Sequence, residues 1–220
     1  MHSMAEARCR VVVLISGTGT NLQALLDTFA AADSPAEIVG VVSNRPGVGG
    51  LERAARAGVA TAVVDHRDFP DRAAFDAALL DKVASFAPDL VALAGFMRIL
   101  GAEFVRHFAG RLINIHPSLL PRYPGLDTHK RAIEAGDSHG GATVHFVTEE
   151  LDGGPAIVQA AVPILPDDDP GALAARVLTV EHQIYPLAVE WFASGRLALR
   201  DGQALLDRQP LPAGGYRFEE

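Results

Sequence analysis

RVVVLISGTGTNLQALLDTFAA, residues 10–31, is the stretch on which the fold class turns. Its first part, RVVVLIS (10–16), is an apolar, β-branched run with no polar alternation, the pattern of a parallel strand covered on both faces. Its second part sets two glycines ahead of a helical pattern of leucines and so reads as a tight turn running into a helix. Strand, glycine turn and helix in succession open an α/β unit.

The same alternation continues outward. EIVGVVS (37–43), VATAVVD (59–65), DLVALAG (89–95) and RLINIH (111–116) read as strands. Between them LERAARAG (51–58), DRAAFDAALLDKVASFA (71–87) and GAEFVRHFAG (101–110) read as helices, the first stopped by Gly58. This order predicts an α/β, Rossmann-like, doubly wound and mostly parallel sheet with right-handed crossovers. After residue 140 the pattern changes. ATVHFV (142–147) and AIVQAAVPI (156–164) are joined by a segment too short for a crossover helix, so they are expected to form an antiparallel C-terminal part. A long helix then starts at Pro170, places Leu173, Val177, Ile184, Leu187 and Trp191 on one face and stops at Gly195, with a kink expected at Pro186. Residues 1–220 are expected to form a single domain, with 1–8 flexible and in part an expression remnant and 203–220 a surface tail.

Composition narrows the chemistry. A formal charge of −8 argues against nonspecific nucleic-acid binding, which needs a basic field, and favours small-molecule substrates. One cysteine, Cys9, excludes an intramolecular disulfide and fits a reducing, cytoplasmic setting. No apolar run approaches the roughly 18 residues that cross a bilayer, so no membrane contact is expected. The histidines do not follow a metal-ligand spacing such as HExxH, and no metal is expected.

Three places can carry chemistry. SGTGTN (16–21) sits where a strand turns into a helix, so its backbone N–H groups can converge on an anion; the competing reading is a plain glycine turn. It is not a full dinucleotide fingerprint, because Leu22 stands at the third glycine position and the second strand ends in Ser43, Asn44 and Arg45 without an acidic residue. That counts against NAD, while Arg45 leaves a weak NADP reading open. Asn114 and His116, two positions apart at the C-terminal end of a strand, project from the same face. An amide and an imidazole aimed at one point can stabilise the oxyanion of an acyl-transfer intermediate and pass protons; a histidine on an apolar strand can equally be a core residue. Pro117, Pro121 and Pro124 stiffen the loop that follows. Asp152, in EELDGGP, is either an ordinary turn residue or a carboxylate that reaches His116 and favours its charged form. His129, His139 and His145 carry less signal.

SGTGTNLQ, LAGFMRIL, INIHPSLLPRYPG, TVHFVTEELDGGP and VEHQIYP, present in this order, make the chain resemble the folate-dependent formyltransferase family over nearly its whole length. The HPSLLP element with a later Asp is common to that fold. The glycine loop, compact length and C-terminal helix resemble its glycinamide ribonucleotide branch. The resemblance implies transfer of the formyl group of 10-formyltetrahydrofolate, as cosubstrate, to the amine of glycinamide ribonucleotide in purine synthesis, by a monomer or homodimer. It implies catalytic roles for Asn114, His116 and Asp152, phosphate binding by Gly19, Thr20 and Asn21, and an amine- and ribose-side role for Glu181. The folate pocket would comprise Met97, Arg98, Ile99 and Leu100 with Thr148, Glu149, Glu150, Leu151 and Asp152, and Arg72 as a further contact. Thr20 stands where a serine is frequent in the family and keeps the hydroxyl. The alternatives are a formyltetrahydrofolate deformylase, which would carry an extra N-terminal regulatory domain, and a noncatalytic nucleotide-binding module in which the triad is structural.

Overall fold

The computed structural model describes residues 7–219. The opening unit is β1 (Cys9–Ile15) and α1 (Thr20–Thr28), followed by β2 (Ala36–Ser43), α2 (Gly49–Arg56), β3 (Thr61–Val63), α3 (Arg72–Ala84), β4 (Leu90–Leu93), α4 (Ala102–His107) and β5 (Leu112–His116). After β5 come α5 (Thr128–Glu134), β6 (His139–Phe146), β7 (Ala156–Pro163) and α6 (Pro170–Ala193). β8 (Leu197–Arg200), β9 (Gln203–Leu206), β10 (Gln209–Pro210) and β11 (Tyr216–Phe218) complete the described elements.

Eight strands form the main sheet in the order β11-β7-β6-β5-β4-β1-β2-β3. The pairs from β5 through β4, β1 and β2 to β3 are parallel, whereas β6 runs antiparallel to both β5 and β7. The unbroken apolar runs are explained by burial on both faces. Val11, Val13 and Ile15 pack with Leu22 and Leu25 of α1 and Val177 and Ile184 of α6, while Val12 and Leu14 pack with Phe75 and Leu79 of α3 and Phe104 of α4. Strand order reverses at β1, whose neighbours are β2 and β4, so the loops after β1 and β4 diverge and leave a crevice at the carboxyl ends of the strands.

α6 starts as its sequence predicts, with Pro170 in the first turn and the Asp169 side chain accepting from the Ala172 N–H. It runs unbroken through Pro186, so the expected kink does not interrupt it. From its middle the buried Tyr185 hydroxyl donates to the Leu93 carbonyl at 2.7 Å and pins the helix to the end of β4.

Two expectations need correction. Arg8 does not belong to a flexible lead, because its guanidinium bonds the carbonyls of Phe29, Ser34 and Ala36; residues 1–6 lie outside the described residues. Residues 203–220 are not merely a surface tail. β8, β9 and β10 make a small antiparallel sheet whose Leu197 and Ala204 join the core, and β11 pairs in parallel with β7 as an edge strand of the main sheet. Gly215 permits this pairing: its φ is +75°, and a Cβ there would lie 2.7 Å from the Ile157 carbonyl carbon. Tyr216 then meets Trp191 edge-on at 5.4 Å. α5 is a helix in a segment to which the sequence pattern assigns no element. No helix among the described residues is long and apolar enough to cross a membrane.

Candidate active site

The crevice begins at the glycine turn. Gly19 caps α1 in the left-handed region with φ +74°, and a Cβ on it would lie 2.7 Å from the Cα of Gly50 at the start of α2. The glycine is therefore required by the close approach of two backbones. No side chain caps α1, so its first N–H groups remain available to an anion at the positive end of the helix. One position before the turn, the buried Ser16 hydroxyl accepts from the Met97 N–H at 2.8 Å and donates to Asn44 Oδ1 at 2.5 Å, joining the loops that follow β1, β2 and β4.

Asn21, in the first turn of α1, donates from Nδ2 to Glu181 Oε2 of α6 at 2.7 Å, and its own Oδ1 is buried without a partner. Burial raises the Glu181 carboxyl above its ordinary 4.5, and the bond from Asn21 only partly opposes this. The folded protein thus holds that proton more tightly than the unfolded chain does. Glu181 favours folding most below pH 4.5, and the benefit is lost as pH rises from 4.5 through the raised value. The neutral Glu181→Gln variant is accordingly expected to melt at higher temperature than wild type at pH 7 without ligand, and to show no such advantage at pH 4. Thermal melts at the two pH values check the sign.

Asn114 and His116 lie on the β5 face that also carries Leu112, and opposite them across the antiparallel ladder stand His145 and Thr143. Loops, rather than a helix, cover this part of the sheet: Thr143 Oγ1 accepts from the Leu120 N–H, and Gln159 donates to the Leu120 carbonyl. His116 is 6 % exposed, yet both ring nitrogens face acceptors. Nε2 is 2.9 Å from the Tyr123 carbonyl, and Nδ1 is 3.5 Å from Asp152 Oδ2. A carbonyl only accepts, so Nε2 carries a hydrogen, and Nδ1 is the position that gains or loses a proton.

Asp152 has φ +51°, the strained turn conformation, but its carboxylate is turned inward and Oδ2 also accepts from the Gly125 N–H at 2.8 Å. The turn reading and the site reading of LDGG thus both describe the same residue. His145, set aside in the sequence, sits 2 % exposed with Nδ1 2.9 Å from the Phe146 carbonyl and Nε2 3.2 Å from Asn114 Nδ2. Burial lowers its pKa and keeps it neutral, so Nδ1 donates and Nε2 accepts one amide hydrogen of Asn114. The second amide hydrogen of Asn114 is left for another acceptor.

A scan against family models matches residues 9–189 to the formyl transferase family. The chain belongs to that family. Among its relatives, this formyltransferase is 52% identical over 210 residues to the phosphoribosylglycinamide formyltransferase of Escherichia coli, covering 96% of this chain and 99% of the relative. It is 46% identical to the human trifunctional purine biosynthetic protein adenosine-3, matching 90% of this chain and 20% of that longer one. The solved phosphoribosylglycinamide formyltransferase of Coxiella burnetii superposes with a TM-score of 0.92 at 47% identity, covering 97% and 100% of the two chains.

The segments that the resemblance assigns to folate flank the triad. Met97 and Ile99 are each 60% exposed, and Leu151 is 54% exposed, an apolar rim that suits a flat heteroaromatic ring. Arg72 braces this rim, donating to the Ile99 carbonyl at 2.8 Å, and the Arg98 guanidinium lies over the Phe75 ring at 5.4 Å. Leu100 packs against the α3 and α4 core. Glu149 is turned away to Arg106 of α4 at 2.7 Å, which ties the 148–152 segment to the helix after the 97–100 segment. A cleft of about 670 Å³ opens beside Thr148, Glu150 and Asp152, walled by Leu120 and Pro121 and by Leu199 and residues 211–213, the last two of which no sequence signal had marked. Cys9 has no part in this site; burial pushes its thiol up to about 12 at the far end of β1.

Proposed function

We propose that this formyltransferase moves the formyl group of 10-formyltetrahydrofolate to the amine of glycinamide ribonucleotide in purine biosynthesis, with Asn114, His116 and Asp152 carrying the chemistry. The observation that carries the proposal is the placement of one imidazole between a carbonyl and a carboxylate, beside an amide with a free N–H. The folate supplies an activated one-carbon group. Met97, Ile99 and Leu151 offer an apolar rim to its ring, with Arg72 and Arg98 as nearby cations. The uncapped N-terminus of α1, with Gly19, Thr20 and Asn21, takes the ribonucleotide phosphate. Glu181 and the unpartnered Asn21 Oδ1 face the ribose and amine side.

Attack of the neutral amine on the formyl carbon, through a tetrahedral intermediate, turns the carbonyl oxygen into an oxyanion and leaves a proton to be removed. Asn114, with its amide nitrogen set by neutral His145, gives its second N–H to that oxygen. His116 gives the proton on Nδ1. The 3.5 Å gap from Nδ1 to Asp152 is looser than a formed hydrogen bond, so the Nδ1 proton is free to be shared with a substrate oxygen. Asp152 stabilises the charged ring and, through a water, passes the proton lost by the attacking amine to the folate nitrogen as the formyl C–N bond breaks.

The test is an assay of the purified protein with 10-formyltetrahydrofolate. Folate product is expected only when glycinamide ribonucleotide is added. Equal turnover without it would make the enzyme a deformylase, and no turnover in either case would leave a binding module.

A further inference from the structure

We infer that Asp137 is a positioning residue for His116, acting at one remove through Tyr123. Asp137 lies in the turn between α5 and β6, outside every motif of the sequence reading. Its carboxylate grips two consecutive residues of the loop after β5: Oδ2 accepts from the Tyr123 hydroxyl at 2.7 Å and Oδ1 from Arg122 Nη1 at 2.9 Å. The grip is firm enough to hold the Tyr123 phenol above its ordinary pKa, chiefly through the bond donated to Asp137.

Tyr123 needs such a grip. Its φ is +55°, a conformation that a non-glycine residue keeps only when its surroundings enforce it. Further restraints converge on the same point: Ser118 Oγ donates to the Arg122 carbonyl at 2.6 Å, and Arg131 both covers the Tyr123 ring at 5.2 Å and bonds the Pro124 carbonyl at 2.6 Å. What this strained backbone presents to the site is one group, the Tyr123 carbonyl against His116 Nε2. That carbonyl fixes the hydrogen on Nε2 and leaves Nδ1, toward Asp152, as the position at which the second proton is taken up and given. If the carbonyl moves away, the neutral ring is free to place its hydrogen on either nitrogen and to rotate.

The inference rests on the reading of His116 as the catalytic imidazole, and its test separates the two. Tyr123→Phe removes a single hydroxyl, and Asp137→Ala removes both grips; should the second fail to fold, the first still decides. In protein labelled with 15N-histidine, with the His116 signals assigned by their loss in His116→Ala, the wild-type ring is expected to be hydrogen-bearing at Nε2. The variants are expected to show a mixture of tautomers and a kcat lower by roughly tenfold or more, with KM for the ribonucleotide nearly unchanged. The double variant should be no slower than Asp137→Ala alone, since both substitutions remove the same bond. A fall in kcat with His116 signals unmoved would overturn the inference while leaving the catalytic reading intact. A changed tautomer with wild-type kcat would uphold the grip and count against His116 as catalyst. Wild-type signals and wild-type kcat in both variants would return Asp137 to an ordinary surface ion pair.

Discussion

His116→Ala is expected to lower kcat by about 10²-fold or more, because removing an oxyanion donor or general acid costs that much. The expectation depends on where the ring sits. A core histidine replaced by alanine would chiefly cost stability, leaving a folded fraction that turns over normally. Here the ring has no apolar task to lose: its nitrogens lie 2.9 Å from the Tyr123 carbonyl and 3.5 Å from Asp152, and the residue is at the carboxyl end of β5. Ribonucleotide binding should largely survive, since the α1 turn and the Asn21–Glu181 pair belong to other elements. Single-turnover kinetics on the folded variant, with ligand titration alongside, separates the two cases. A kcat near wild type would make His116 a core residue after all.

Asp152→Asn is expected to slow the enzyme severely as well, with a signature that simple loss of a contact does not give. The amide is nearly the size of the carboxylate and can still accept from the Gly125 N–H, so the loop and both binding sites should persist. What disappears is the negative charge facing Nδ1. Without it the imidazolium that donates to the oxyanion has no counter-charge, so the loss should fall on kcat while KM for both substrates stays nearly unchanged. Steady-state kcat and KM for wild type and variant, with titration of each ligand, decide the matter. A rise in KM for the folate with kcat unchanged would assign Asp152 to holding the 148–152 loop, and no change in either would leave LDGG an ordinary turn.

The legible parts of this protein were those written in period and position. β1 and α1 could be read because burial on both faces removes polar alternation, and Asn114 with His116 because residues two apart on a strand share a face. Asp152 could be read as a turn residue or as a carboxylate for His116, and nothing in composition chooses between them, because the inward carboxylate depends on a left-handed backbone. His145 escaped because its importance depends on register: it stands opposite Asn114 only once β5 and β6 pair antiparallel. The Tyr123 carbonyl had no signal at all, since every residue has a carbonyl. α5, seven residues long, offered too short a window for helical periodicity, and β11 hid among prolines and glycines that read as a tail.

That last strand matters during synthesis. β7 is complete once residue 163 has left the ribosome, but the partner for one of its sides, β11, is made more than fifty residues later. Until then the backbone groups that will pair Val158, Gln159 and Ala160 with Tyr216, Arg217 and Phe218 form an open sheet edge. The nascent chain therefore passes through an interval in which its sheet can add a strand from another molecule, and the interval closes only when Tyr216, Arg217 and Phe218 arrive.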